Sequence, residues 1–410
     1  MRSRFCTPAL LLATCLFQPC CSAEQSVSGQ VRTLWNTAIE NSQGPAAAAD
    51  RLLPGIVDMR AATGVVEGEL HVTLPGVYGI ATVQADSHKY STAWLNELVA
   101  NYDAGAWQYS AGKKILSWDV GYAFRPNDVI ARETRQALVS STLIGRPLAM
   151  AEYFTAEQAV TLVWVNPGQH AAGDSNREPA VAARLYQRAG ALDWYGFARY
   201  GQDSAASLGS ALAWVSNEAL ELHASYRYLQ RAELAGLDSA APLLASSTPV
   251  NTTLQAPAQQ ALIGLTYTTA TQHSWLLEAW WDGTAAPAAV WREWNERNRQ
   301  LQAFATQRST LSRPVAGNLA WQTGLLSASA NLRRKNLLAR WSWQSGAWQY
   351  AFDTLYTPED AAHVSTASLT WQGDRWHIDA GLRHAGGPSK AILSQLPVRD
   401  NAYVAATWAF

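Results

Sequence analysis

Two patterns in the sequence place a carboxylate and an imidazole two residues apart, at Glu221-x-His223 and at His377-x-Asp379. In an extended strand, the two side chains of each pattern would share one face. Such a pair can perform general acid–base catalysis, or it can be the polar lining of a water-filled interior. We favour the polar lining, because the eight histidines show no metal-ligand spacing and no Gly-rich phosphate loop occurs. We therefore expect no enzyme activity, no cofactor and no metal.

A second group of candidate residues lies in the stretch AGKKILSWDVGYAFRPNDVIARETRQAL, residues 111–138. It begins as a strand, Trp118-Asp119 interrupts the alternation, and residues 125–128 predict a turn followed by the start of a helix. We predict that residues 117–147 fold inward and narrow an enclosed passage. The alternative is an external loop whose charges pair among themselves. The side chains predicted to line the narrowing are Lys114, Asp119, Arg125, Asp128, Arg132, Glu133 and Arg135.

These residues need strands to position them, and apolar–polar alternation with a period of two predicts strands along the whole chain. The predicted strands span residues 26–36, 64–74, 77–86, 92–103, 107–116, 148–155, 159–166, 179–188, 192–200, 206–216, 219–229, 258–268, 273–282, 336–344, 347–357, 362–372, 375–384 and 401–410. Short turns alternate with longer connections, of which 37–63, 117–147, 230–257 and 283–335 are the longest. This pattern predicts an all-β, antiparallel, up-and-down transmembrane β-barrel of about 18 strands, with about 16 as the alternative count.

Three predicted strands show the two faces of such a barrel clearly. Around residues 64–74, 219–229 and 375–384, large apolar side chains alternate with charged or polar ones. An Arg or Lys on the lipid face near mid-membrane costs about 2–4 kcal/mol, so the charged sets should face the interior. The predicted interior residues are Glu67, Glu69, His71, Glu221, His223, Arg227, His377, Asp379 and Arg383.

The composition argues against several classes of protein. Charged residues make up 15% of the chain, against about 25% in ordinary soluble domains. After residue 23, no segment approaches the ~18 consecutive apolar residues of a membrane helix. The 19 Trp and 15 Tyr residues are typical of the aromatic girdles of membrane barrels. Without Arg2 and Arg4, which belong to the N-terminal segment described next, 29 of the 31 basic residues remain against 32 acidic ones. That balance indicates no nucleic-acid partner.

The N-terminus predicts export. Two arginines precede a mostly apolar stretch over residues 8–17, and a small-residue exit ends at Ala23. Residues 1–23 therefore have the layout of a secretory signal peptide. A lipoprotein anchored through Cys15 or Cys20 is the alternative. All four cysteines lie in this segment, so we expect residues 24–410 to form a single barrel domain without disulfides.

The last ten residues, NAYVAATWAF, alternate apolar and mixed positions and end on an aromatic residue. In this strand, and in the architecture predicted for the whole chain after the signal peptide, the protein resembles the outer-membrane β-barrels of Gram-negative bacteria, particularly the porin and substrate-channel families. The resemblance implies that Val404, Ala406, Trp408 and Phe410 form the signal read by the barrel-assembly machinery. It identifies no subfamily and therefore assigns no site residue.

Residues 288–307 predict a helix within the longest loop, 283–335. Charged residues, Arg297 among them, lie mostly outside its apolar face. We interpret the segment as a helix that covers the mouth of the barrel, and the alternative is a helix that grips a ligand. The apolar face consists of Val290, Trp294, Leu301, Phe304 and Ala305.

Together these observations predict an outer-membrane channel, embedded in outer-membrane lipid, for passive or weakly selective diffusion of small polar solutes. Positive charge at Lys114, Arg125, Arg132 and Arg135 predicts a mild preference for anions, and Trp280 is a weak indication of sugars. The alternatives are a barrel hydrolase and a non-conducting barrel that serves adhesion or acts as an export partner. A secreted β-sandwich or β-helix is the soluble alternative. The sequence assigns neither the solute nor an oligomeric state.

Overall fold

The computed structural model describes residues 25–57, 62–87, 90–130, 143–167, 178–254, 256–307 and 311–410, so the predicted signal peptide lies outside the described residues. The described residues form twenty strands and three α-helices. The strands are β1 (Ser26–Glu40), β2 (Ala62–Leu74), β3 (Val77–Asp86), β4 (Ser91–Ala104), β5 (Trp107–Lys114), β6 (Arg146–Phe154), β7 (Gln158–Val165), β8 (Ala180–Ala189), β9 (Leu192–Gly201), β10 (Ala205–Val215), β11 (Leu220–Leu229), β12 (Glu233–Leu237), β13 (Val250–Leu254), β14 (Ala258–Thr268), β15 (His273–Asp282), β16 (Lys335–Ser345), β17 (Trp348–Thr357), β18 (Ala362–Gln372), β19 (Trp376–Gly386) and β20 (Val398–Ala409). The helices are α1 (Gly44–Leu52), α2 (Ala288–Gln307) and α3 (Ser312–Ser327), and a short 3₁₀ turn covers Leu393–Gln395.

Eighteen of these strands form one antiparallel sheet that closes into a barrel. Each strand pairs with its neighbours along the chain, and the connection from β11 to β14 contains the separate β12–β13 hairpin. β1 completes the circle by pairing with both β2 and β20. At the end of this seam, Gly29 and Phe410 exchange backbone hydrogen bonds of 3.0 and 2.9 Å. The predicted all-β, up-and-down barrel of 18 strands is therefore confirmed.

Alternation along each strand gives the barrel an apolar outer surface. On β1, Val27, Trp35 and Ile39 are exposed, and the side chains of Trp408 and Phe410 are exposed on the neighbouring strand end. Large exposed apolar side chains continue on almost every barrel strand. A water-facing surface rarely carries contiguous apolar patches larger than a few hundred Å². This outer surface therefore faces lipid.

The predicted strand positions agree closely with the observed ones. Each predicted strand overlaps one barrel strand, and the largest difference is at β1, for which the sequence predicts an end at residue 36 and the structure shows Glu40. The sequence shows no decisive polar face for β3 and β4, and the structure gives the reason. Ile80 pairs with Glu97 and Ala81 with Leu95, so Asn96 is a bulge residue that shifts the alternation.

The long connections at one end of the barrel fold into a layer of their own, which we call the cap: α1, α2, α3 and the β12–β13 hairpin. The helix predicted over residues 288–307 is α2 and is confirmed. The sequence predicts only loops where α1, α3 and the hairpin occur. Trp294 and Leu301 of α2 are fully buried and pack in apolar clusters with Leu325 and Leu319 of α3. None of the described helices is long and apolar enough to cross a membrane.

Arg297 of α2 is not a solvent-facing charge, although the sequence predicts that the charged residues of this helix lie mostly outside its apolar face. Arg297 is partly buried, and its Nη2 atom donates to the carbonyl oxygens of Pro242 at 2.7 Å and Leu243 at 3.0 Å. Irregular backbone carbonyls need donors where they are shielded from water. Arg297 therefore attaches the connection between the β12–β13 strands to α2.

Candidate functional site

A segment between β5 and β6 crosses the interior of the barrel; we call residues 115–130 the inward segment. At its tip, the backbone N–H groups of Tyr122 and Ala123 donate to the two carboxylate oxygens of Glu278, at 2.6 and 2.8 Å. Glu278 lies on β15, on the opposite wall. His223 Nε2 of β11 lies 3.0 Å from the same carboxylate. One buried acid therefore fixes the tip of the inward segment to the wall.

A second anchor fixes the turn that follows the tip. Asn127 Nδ2 donates to Ser225 Oγ at 2.8 Å, and Ser225 Oγ in turn donates to Asp119 Oδ2 at 2.9 Å. Arg227 Nη1 donates to the carbonyl oxygen of Pro126 at 2.9 Å. All of these wall residues belong to β11. The interior face of β11 predicted from the sequence is thus the surface on which the inward segment rests.

The two aspartates of the inward segment shape its own backbone. Asp119 accepts the N–H groups of Asn127 at 2.5 Å and Val120 at 2.8 Å. Asp128 accepts the N–H groups of Trp118 at 2.8 Å and Asp119 at 3.2 Å. Both side chains are buried. A segment without regular structure leaves its backbone donors unpaired, and carboxylates satisfy them here.

Apolar contacts fill the space between the inward segment and one side of the wall. Trp118, Val129 and Ile130 pack in a buried cluster with interior side chains of β6 to β10. Phe124 packs with side chains of β14 to β16, and its ring lies 5.8 Å from that of Trp280, measured between centroids. Trp280 therefore lies under Phe124, buried, and is not a sugar-contacting surface as the sequence suggested.

The other side of the interior stays open as a cavity of about 800 Å³, which we call the pore cavity. Interior residues of β1 and β16 to β20 line it, together with Tyr122 and Ala123 of the inward segment and, at the cap end, residues of the segments 326–332 and 393–397. Arg340 Nη1 lies 3.3 Å from Asp353 Oδ2, and the Arg340 guanidinium lies 5.6 Å from the ring centroid of Tyr122. The charged side chains that line the pore cavity are Arg32, Arg340, Arg383, Arg399, Asp353 and Asp379, and His377 lies beside them.

The residues predicted to line a narrowing are distributed differently. Lys114 lies on the wall, with Nζ 3.5 Å from Ser110 Oγ. Arg125 Nε lies 3.4 Å from Asp128, and its Nη2 donates to the carbonyl of Asp119 at 2.5 Å. None of these side chains lines the pore cavity. Arg132, Glu133 and Arg135 lie outside the described residues, as does most of the helix predicted after the turn at residues 125–128.

The residues predicted to face the interior fall into three groups. His377, Asp379 and Arg383 line the pore cavity, and His377 Nε2 lies 2.7 Å from Asp379 Oδ2. His223 and Arg227 are buried beneath the inward segment, and Glu221 lies 3.7 Å from His223 Nδ1. On β2, Glu69 contacts His71, and Glu67 is a partly buried residue of the same face.

Sequence reasoning missed Arg32, Arg340, Asp353 and Arg399, which supply much of the charge in the pore cavity. The signal was the same alternation that identified Arg383. Arg340, for example, follows the exposed Leu337 by an odd number of residues and so belongs to the opposite face of β16.

The terminal strand has the outward face predicted for it. Val404, Trp408 and Phe410 are exposed on the lipid side, and Ala406 belongs to the same face. The ring centroids of Trp408 and Phe410 are 5.1 Å apart. In the described part of the chain, no three His, Cys, Asp or Glu side chains come close enough together to hold a metal ion.

Comparisons with known proteins show likeness in structure but not in sequence. No protein-family model and no curated protein matches the chain. The structure of Pseudomonas aeruginosa OccK5 (OpdH) is similar at 8% identity and a TM-score of 0.54, over 94% of this chain and 98% of that one. OccK8 (OprE) of the same organism gives 9% and 0.55 over the same shares. OccK11 (OpdR) gives 8% and 0.51, over 94% of this chain and 96% of that one. At these identities the likeness establishes a shared fold.

Proposed function

We propose that this protein is an outer-membrane channel through which small polar solutes diffuse, and that the pore cavity is their path. The observation that carries the proposal is the asymmetric filling of the barrel. The inward segment occupies the side of β6 to β15, and a charged space of about 800 Å³ stays open along β1 and β16 to β20. An 18-strand barrel without such filling encloses a wide aqueous hole. The inward segment is then the element that narrows it.

The apolar outer surface and the arrangement of connections support a place and an orientation. In bacterial barrels the short turns lie in the periplasm and the long loops outside the cell. The cap then faces outward, and Phe410 lies at the periplasmic end. We further propose that the protein resides in the Gram-negative outer membrane after cleavage of the signal peptide near Ala23. The barrel-assembly machinery would recognise residues 404–410.

The charges of the pore cavity support a preference for anions. Four arginines line it against two aspartates. A low-dielectric wall strengthens the local field, so charges near the path outweigh the slightly acidic balance of the whole chain. In this proposal the wall arginines supply positive charge like that predicted from the sequence at Lys114, Arg125, Arg132 and Arg135, of which Arg132 and Arg135 lie outside the described residues.

Planar-bilayer recording of the purified protein tests both parts. We expect single-channel conductance and, across a salt gradient, a reversal potential of anionic sign. The double change Arg340→Gln and Arg383→Gln should move that potential toward the cationic side. Arg375→Gln, at a short turn outside the pore cavity, is the matched control and should leave it unchanged.

Two outcomes would contradict the proposal. Folded protein that inserts but never conducts supports the non-conducting alternatives, adhesion or export. A cation-selective wild type refutes the role of the wall arginines while leaving a channel in place.

A further inference from the structure

We infer that the cap carries a binding site of its own, for an acidic saccharide. The site is a second cavity, of about 820 Å³, between α1, α2, the β17–β18 connection and the segment before the 3₁₀ turn; we call it the outer cavity. Sites for small ligands usually measure about 300–1,000 Å³. Among the described residues, none lines both the outer cavity and the pore cavity.

One face of α2 forms a wall of the outer cavity. Trp291, Asn295, Asn298 and Gln302 recur at spacings of three and four residues, so they form a single stripe along the helix. Trp294 and Leu301 belong to the apolar core of the cap. The stripe consists of three amide groups, which can donate and accept hydrogen bonds, and one indole, which can only donate. It gives the cavity a polar wall on a firmly packed helix.

Two side chains of this stripe are buried without hydrogen-bond partners. Asn298 is 3% exposed, and among the described residues neither its Nδ2 nor its Oδ1 atom has a partner. The same holds for Nε1 of Trp291, which is 2% exposed. Buried polar groups in proteins are nearly always paired, and each exception requires an explanation. These atoms have almost no surface open to the outer cavity, so a ligand that binds there pairs them by turning the two side chains toward it.

The unpaired atoms of Trp291 and Asn298 define which hydrogen-bond donors and acceptors such a ligand must carry. Nε1 of Trp291 and Nδ2 of Asn298 require acceptors, whereas Oδ1 of Asn298 requires a donor. A hydroxyl group both donates and accepts, so a polyhydroxylated molecule satisfies all three atoms. Chloride and sulfate, which carry no hydrogen at neutral pH, lack the donor that Oδ1 needs.

The charges around the outer cavity favour an acid. Its three carboxylates are already paired: Glu296 contacts Arg299, and Glu359 and Asp360 lie 3.7 and 3.6 Å from Arg333. Three further cations line the cavity, Arg51, Arg292 and Lys390, and none forms an ion pair within the described residues. The surplus positive charge attracts a negatively charged ligand. Hydroxyls and a carboxylate together describe an acidic saccharide, either a free sugar acid or a unit of an acidic surface polysaccharide.

Calorimetric titration of the folded, full-length protein in detergent tests this inference without any need for conduction. D-galacturonate is the acidic probe and D-galactose its neutral match. We expect binding of galacturonate, and at least tenfold weaker binding of galactose. An oligogalacturonide that binds more tightly per unit than the monomer identifies a polysaccharide as the source, and equal affinity per unit identifies a free sugar acid. Failure of both acidic probes to bind, or equal affinity for galactose, overturns the inference.

Variants locate the site. The exposed cations Arg51, Arg292 and Lys390, changed together to Gln, should weaken galacturonate binding at least tenfold without disturbing the fold. Asn298→Ala tests the unpaired amide, with heat-modifiability on gels as the check of folding. Arg313→Gln removes an exposed cation of the cap that does not line the outer cavity, and should bind like the wild type. If the triple change has no effect while Arg340→Gln with Arg383→Gln abolishes binding, the acid binds in the pore cavity and the inference is wrong.

Discussion

The backbone N–H of Tyr122 donates a hydrogen bond of 2.6 Å to Oε1 of Glu278, across the interior of the barrel. This contact joins the tip of the inward segment to the wall, and the Tyr122 side chain then forms part of the pore cavity. Whatever loosens the contact should therefore change the width of the path.

Glu278→Gln is the direct test of that anchor. Glutamine keeps one oxygen acceptor and replaces the other with an NH₂ group, which cannot accept from Ala123. Leaving a buried donor unpaired costs about 1–3 kcal/mol. We expect more open-channel noise and a higher mean conductance. Glu221→Gln is the control. It changes a neighbouring acid that, among the described residues, forms no hydrogen bond with the inward segment. Indistinguishable recordings of Glu278→Gln and wild type would show that other contacts hold the tip.

Deleting residues 122–140 should widen the path more strongly. The deletion removes the tip, Phe124 and Asn127, and the narrowest section sets the resistance of a channel. Conductance should rise markedly. The melting temperature should fall, because Leu262, Leu276 and Trp280 lose the aromatic ring that covers them. Unchanged conductance would place the resistance elsewhere, for example in the cap.

The arginines of the interior should differ sharply in their effect on selectivity. Arg125 is bonded within the inward segment, to Asp128 and to the carbonyl of Asp119. Arg125→Gln should therefore leave the reversal potential across a salt gradient unchanged, whereas Arg340→Gln should reduce its anionic sign. The opposite ranking of the two variants would show that the inward segment rather than the wall sets selectivity.

The terminal ring can be tested separately from the terminal backbone. Phe410→Ala keeps the two backbone hydrogen bonds with Gly29 but removes a lipid-facing ring in contact with Trp408. We expect a lower yield of folded, heat-modifiable barrel in outer-membrane fractions, with normal conductance for each channel that does insert. A wild-type yield would count against the assembly signal assigned to this strand.

Glu178, just before β8, predicts a pH dependence of stability at the cap end of the barrel. Burial raises the pKa of this carboxyl, but hydrogen bonds from Ser204 and Asp203 and the charge of Arg199, 2.8 Å away, outweigh burial and hold the pKa below its usual range. Its stabilising effect is therefore complete above the unfolded pKa of about 4.3 and is lost as pH falls through the lower folded value.

Glu178→Gln should lower the melting temperature at neutral pH, and the difference from wild type should shrink below about pH 4. Thermal unfolding followed by circular dichroism at several pH values measures this. A difference that stays constant down to pH 2 would assign the loss to packing and not to charge.

The strands could be predicted because each carries its own evidence. A lipid-facing residue must be apolar and its neighbour need not be, so alternation alone defines segments such as β14, which matches its predicted range of 258–268. The cap could not be predicted in this way. The β12–β13 hairpin has only five residues in each strand and packs on helices, so no membrane imposes alternation on it.

The candidate site was predictable only in part, for a different reason. Alternation identifies the interior residues of each strand, but it does not show which of them the inward segment covers. That choice depends on contacts such as Asn127 with Ser225, which are 98 residues apart in sequence. Charge was misleading as well. Asp119 and Asp128 look like pore residues in the sequence, yet their carboxylates accept hydrogen bonds from backbone N–H groups of their own segment. Arg340 and Arg383 line the path because they lie on the side that stays uncovered.

The seam between β1 and β20 constrains how the barrel comes into being and how long it lasts. Every other barrel pairing joins barrel strands that follow one another along the chain, but this one joins Gly29 to Phe410, so its loop-closure cost is the largest among the described strand pairings. Hairpins can form early, whereas we expect the seam to form last. Until then two strand edges lack partners, which lipid does not tolerate. Once the seam is closed there is no edge from which strands can peel away, so the barrel should persist through a high unfolding barrier and not through equilibrium stability alone.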